Sequence, residues 1–256
     1  MKDEFYIGWE DRAAPGIRRG ARLAVVFLLV ATIGLALALG AAQRTIGVSV
    51  FEWGTIKKFT GVLKLEPYPH LLVARPGAPG EASVPGYSTY YMVAPFKFGL
   101  DRAKLSALDG KPVALQATLI YRGNQTMLEA LPETIVAASP PPALPPGLET
   151  IELGRQTLVG EIVDSKCFLG VMNPGQLLPH RACAIRCISG GIPPVLLVRS
   201  KDGSAIYLLL VSAAGKPVNQ QVLDLVAEPV RITGDVERQG DLLILRADPA
   251  GYERLR

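Results

Sequence analysis

All three cysteines of this 256-residue chain, and one of its two histidines, fall between Cys167 and Cys187. Cys167, His180, Cys183 and Cys187 can carry three kinds of chemistry. In an oxidising compartment Cys167 pairs with Cys183 or Cys187, and closing such a loop stabilises a fold by about 2–4 kcal/mol. Cys183 and Cys187 are four apart, so on a helix they share a face without the geometry a relaxed disulfide prefers. Alternatively, three thiolates and one imidazole make a tetrahedral donor set for zinc or another thiophilic ion. A redox or thiol-reactive centre is the third reading. It lacks a C-x-x-C pair, and no C-x-x-C-H is present to attach haem.

Other catalytic signatures are missing. There is no G-x-S-x-G, P-loop, G-x-G-x-x-G or H-E-x-x-H in the chain. Asp164 and Glu161 lie near Cys167, but an acid beside a thiol is no catalytic constellation without a positioned base. His70, between Pro69 and Leu71 at the start of an apolar run, reads as structural. The expectation is therefore a protein that is not an enzyme, and that has no cofactor unless the Cys/His cluster holds a metal.

The cluster must be carried by a β-rich frame. Residues 46–138 and 148–256 each present a similar series of short apolar runs. Gly61 aligns with Gly160, Leu71-Leu72-Val73 with Leu196-Leu197-Val198, and Tyr90-Tyr91-Met92-Val93 with Tyr207-Leu208-Leu209-Leu210. A short helical pattern follows in each, at Arg102 to Leu108 and Val222 to Val226. Two final strands then flank the turns Gly123-Asn124 and Gln239-Gly240, where positive φ is wanted. Between Val230 and Val236 every second residue is apolar or glycine, the period of a half-buried strand. Five strands with one small helix before the fourth is the pattern of an OB-type Greek-key barrel. The fold class expected is mainly β: one N-terminal transmembrane helix followed by two tandem OB-like small β-barrels. Ser139 to Gly147 reads SPPPALPPG and serves as a Pro-rich spacer between them. The cluster lies in an insertion of the second half, where the first has only Pro67-Tyr68-Pro69.

Leu23 to Ala42 carries no charge and is long enough to cross about 30 Å of hydrocarbon. Arg18, Arg19 and Arg22 precede it, so the positive-inside rule predicts residues 1–22 in the cytoplasm and the β-domains outside. The apolar run exceeds the roughly 7–15 residues of a signal-peptide core, which favours an uncleaved anchor over a cleaved leader. Thr32, Ala36 and Gly40 form a small-residue face suited to close helix packing, or simply to lipid. Phe5, Tyr6 and Trp9 in the leader suit the membrane interface or docking on a neighbouring subunit.

The arrangement Asp164-x-x-Cys167, His180-x-x-Cys183-Ala-x-x-Cys187 and Gly191-Ile-Pro-Pro-Val resembles a group of small exported bacterial domains. They share a D-x-x-C … H-x-x-C-A-x-x-C pattern ahead of an OB-like β-domain, and the match spans residues 158–247. The resemblance implies fold and export, not an activity. In architecture the chain is similar to single-span extrinsic subunits of respiratory and photosynthetic electron-transfer complexes. That implies a non-catalytic accessory subunit at the bacterial inner membrane, periplasmic in its β-domains, with integral membrane subunits and the bilayer as partners. The alternative is a stand-alone exported metal- or thiol-binding protein. The net charge of +4 and pI near 9.0 are mild, and no basic, aromatic-studded face marks a nucleic-acid binder.

Overall fold

The computed structural model describes residues 13–43, 48–74, 87–123, 125–139, 150–201 and 204–255. The chain divides into two compact units, 1–47 and 48–256. Among its described residues the first contains one helix, α1, Pro15–Gln43, which is 29 residues long. It starts eight residues before the uncharged run, because Pro15 fits the first helical position, where no N–H partner is needed. It is long and apolar enough to cross a membrane, and none of its hydrophobic window is buried. Thr32, Ala36 and Gly40 lie on it and are exposed. Phe5, Tyr6 and Trp9 are outside the described residues, as is nearly all of the proline spacer.

The second unit contains two β-barrels of one topology. The first comprises β1 (Ser49–Lys64), β2 (His70–Ala74), β3 (Tyr87–Val93), β4 (Pro112–Arg122) and β5 (Gln125–Ala130), followed by short β6 (Val136–Ala137). Helix α2 (Arg102–Leu105) precedes β4, with Asp101 accepting hydrogen bonds from its first turn. The strand order β1-β2-β3-β5-β4 closes through β1–β4, and only β3–β5 is parallel. The second barrel comprises β7 (Thr150–Asp164), β8 (Pro194–Arg199), β9 (Ala205–Val211), β10 (Pro229–Gln239) and β11 (Leu242–Arg246), followed by short β12 (Glu253–Arg254). Its order β7-β8-β9-β11-β10 closes through β7–β10, and β9–β11 is the parallel pair. This is the OB arrangement twice, and closure leaves few free strand edges.

The duplication holds at residue level. Val62 pairs with Leu72, and Glu161 pairs with Leu197. A Cβ on Gly61 would lie 2.4 Å from the Leu72 carbonyl oxygen, and one on Gly160 would lie 2.5 Å from that of Leu197. Each glycine therefore permits the same close strand crossing. The third strands correct the sequence alignment by one residue. His70 opposes Tyr91 and Val195 opposes Leu209, so Tyr91 is equivalent to Leu209 and Met92 to Leu210. Apolar runs on both sides of the shift score equally well, and only backbone pairing resolves it. β10 buries Val230, Ile232, Gly234 and Val236 in strict alternation. The predicted second helical pattern is only a 3₁₀ turn, Leu223–Leu225.

Besides the interior of each barrel, a third core joins them. Tyr68, Tyr91, Val93, Ile120 and Met127 of the first barrel pack with Cys167, Phe168, Leu169, Val195 and Leu209 of the second. The Tyr68 hydroxyl reaches across to accept the Val218 N–H at 3.1 Å.

Candidate metal centre

The insertion leaves the second barrel where β7 ends and returns at β8. Asp164, the last residue of β7, is wholly buried and ties both ends of the insertion together. Its Oδ1 accepts the Cys167 N–H at 2.7 Å, which starts the helical turn Cys167–Val171. Its Oδ2 lies 2.9 Å from Nε2 of His180, which directly precedes helix α3 (Arg181–Ser189). α3 then projects Cys183 and Cys187, one turn apart, towards Cys167. The local sequence explains the path. Leu177 takes φ 66°, and its N–H is held by Glu161. Gly175 has φ 65° and leaves no room for a Cβ beside the Cys167 carbonyl.

The predicted residues gather around Cys167. The Cys167 sulfur is 3.9 Å from that of Cys183 and 4.0 Å from that of Cys187. Donor atoms of Cys167, His180 and Cys183 lie within 4.8 Å of one another, as do those of Asp164, Cys167 and Cys187. Cys167, Cys187 and His180 are buried, and Cys183 is half-buried. The Cys167 thiol is pushed up by its hydrogen bond with Cys187, by burial and by the Asp164 charge. The same hydrogen bond pulls the Cys187 thiol down.

Sequence reasoning missed two lysines. Lys97, between β3 and α2 in the first barrel, donates to the Cys183 sulfur at 2.7 Å and lies 3.8 Å from that of Cys187. That contact with Cys183 raises the lysine's affinity for its proton. Lys166, adjacent to Cys167, is 1% exposed. Its ammonium pairs with Glu129 of β5 and donates to the carbonyls of Ala94 at 3.0 Å and Phe96 at 2.6 Å. Phe96 adopts φ 63°, a strained value that turns its carbonyl to this lysine. Lys97 and Glu129 lie far from the cysteines in sequence, and no local motif marks them. Lys166 stands within the D-x-x-C pattern, but an isolated lysine reads as solvated surface.

The cluster forms the floor of a cleft of about 520 Å³ between the barrels. Phe51, Trp53, Phe96, Phe98 and Met172 supply apolar walls, and Arg186 stands over the Phe98 ring. The second histidine, His70, is buried away from the cluster with Nδ1 2.8 Å from the Tyr68 carbonyl oxygen, in keeping with a structural role.

Fold and site together define a class: a tandem OB-type β-barrel protein with an apolar N-terminal helix and a partly buried cysteine–histidine cluster at the barrel junction. No protein-family model, curated protein or solved structure matches the chain.

Proposed function

We propose that this is a membrane-tethered protein that binds zinc or another thiophilic metal ion through Cys167, Cys183 and Cys187, with His180 as the nitrogen donor. One observation carries the reading: the Cys167 sulfur stands at ligand spacing from those of both Cys183 and Cys187. A Zn–S bond is about 2.3 Å, so tetrahedral thiolates around one ion stand about 3.8 Å apart. The separations of 3.9 and 4.0 Å are close to that edge, and about twice the roughly 2.05 Å of a disulfide. The Asp164–His180 hydrogen bond supports the same reading. A ligating histidine commonly donates its other N–H to a carboxylate, which orients the ring and raises its basicity. With Nε2 engaged by Asp164, Nδ1 is the nitrogen left for an ion. Three thiolates and a divalent ion carry one net negative charge, and the Lys97 ammonium offsets it.

In this reading the helix tethers the barrels to the bacterial inner membrane with the N-terminus cytoplasmic, and the ion is held outside. Purified in mild detergent under reducing conditions, the full chain is expected to carry about one ion, lost on His180→Ala or Cys183→Ser. Absence of bound metal after reconstitution with zinc or with monovalent copper would overturn the proposal. Non-reducing peptide mapping of the same sample identifies any Cys167 disulfide, the competing outcome.

A second reading, the non-catalytic accessory subunit of a membrane complex, is favoured by the small-residue face of α1. Co-migration with polytopic subunits supports it, and a metal-loaded monomer counts against it.

A further inference from the structure

We propose that Lys97 and Cys183 form a reversible covalent N–O–S bridge on exposure to dioxygen, cross-linking the two barrels and taking Cys183 out of the metal site. The bridge does not depend on metal binding, because it needs only these two side chains.

The geometry carries the argument. An N–H···O hydrogen bond spans 2.7–3.2 Å, and the larger radius of sulfur lengthens an N–H···S contact by about 0.3 Å or more. Lys97 Nζ and Cys183 Sγ stand at 2.7 Å. One oxygen bonded to both atoms, with ordinary single bonds and a near-tetrahedral angle, holds nitrogen and sulfur about 2.6 Å apart, within about 0.1 Å of the contact already made. The bridge therefore forms with both atoms where they already stand. The competing disulfides need more movement. Cys167 and Cys183 must close from 3.9 Å and Cys167 and Cys187 from 4.0 Å to about 2.05 Å. Cys167 and Cys187 are buried, and Cys167 is held by Asp164 through its N–H.

Access is also in place. Lys97 and Cys183 are both partly exposed and line the open cleft, so a small oxidant reaches them from solvent. Neighbouring Lys166 cannot take the place of Lys97, since its ammonium is committed to Glu129 and two carbonyls.

The step balances with one dioxygen. The Cys183 thiol and the neutral Lys97 amine lose two electrons each, at sulfur and at nitrogen. One oxygen atom enters the S–O and O–N bonds. The other leaves as water with the thiol proton and one amine proton. An amine that starts as ammonium first releases its extra proton to solvent. Four equivalents of a small thiol return the free side chains, one water and two disulfides.

The experiment uses the full chain in detergent, stripped of metal by a chelator and exposed to air. The wild type is expected to gain about 14 Da, one oxygen less two hydrogens. Peptide mapping should place that mass in a linked pair containing Lys97 and Cys183, and dithiothreitol should release it. Lys97→Arg keeps the positive charge but should show no gain. Free Lys97 peptides in the oxidised wild type, with Cys183 unmodified, further oxidised or in a disulfide, overturn the proposal. Metal uptake by the reduced wild type is measured separately, so failure of the bridge and failure of the metal site are distinguishable.

Discussion

The two barrels share a strand order and a register, yet they treat one crossing differently. In the first barrel β1 reaches β2 through Leu65-Glu66-Pro67-Tyr68-Pro69. In the second the equivalent path runs from Asp164 to Pro194 and holds every cysteine. Leu65 and Asp164 occupy the same place in the barrel, four residues after Gly61 and Gly160. Leu65 is a buried apolar residue, whereas Asp164 is a buried acid whose two oxygens organise the insertion. A barrel of this type needs only a short link at this point. The longer one builds a helix and a cluster, and gives the barrels a shared core. The short link also takes part: Tyr68 enters that core and bonds to the second barrel.

The sharpest way to break the comparison is at the buried pair that docks the insertion onto the first barrel. Lys166→Met leaves Glu129 buried without its partner, and loss of one member of such a pair typically costs about 3–5 kcal/mol. Chemical denaturation should show a loss of that size. Lys166→Met combined with Glu129→Leu should cost much less than the sum of the single changes. Additive losses would mean the pair does not join the two barrels.

Next comes Asp164→Ala, which orphans the Cys167 N–H and removes the hydrogen-bond partner of His180. Two unsatisfied buried groups cost about 2–4 kcal/mol, and metal content should fall with stability. In the first barrel Leu65→Ala, a cavity change of about 2–5 kcal/mol, should leave metal content per folded molecule unchanged. Equal metal loss in both variants would erase the distinction between the links.

Gly61→Ala and Gly160→Ala probe what the barrels share. Each Cβ would strike a backbone carbonyl at nearly the same distance. Both should destabilise by about 1–3 kcal/mol, within a few tenths of each other. A large inequality in thermal denaturation would show that the crossings are not equivalent.

The smallest effect belongs to the first barrel alone. Burial lowers the affinity of His70 for a proton, which keeps it neutral in the fold. The unfolded chain binds that proton more readily, so stability is fully present above the unfolded pKa near 6.5. It falls as pH drops below that value, until the depressed folded pKa is passed. His70→Gln should flatten this slope by about 1 kcal/mol between pH 7 and pH 5. An unchanged slope would assign the acid sensitivity elsewhere.

Local pattern was enough for much of this molecule. The uncharged run from Leu23 fixed a helix long enough to span a bilayer, since composition alone decides whether a segment tolerates hydrocarbon. Alternation in β10, the paired glycines and the glycine turns specified two like barrels, because strand period and positive φ are written in adjacent residues. The spacing of His180, Cys183 and Cys187 announced a cluster for the same reason: steps of three and four residues fall on one face of successive helical turns. The tertiary structure decided the rest. It set the third-strand register one residue away from the apparent alignment, because backbone pairing and not side-chain type determines it. It brought Lys97 and Glu129 from the first barrel to the cysteine insertion, and turned Asp164 from a bystander into the residue that orients His180. The two lysine contacts join residues more than 30 positions apart through chain closure and packing, and no local sequence signal records them.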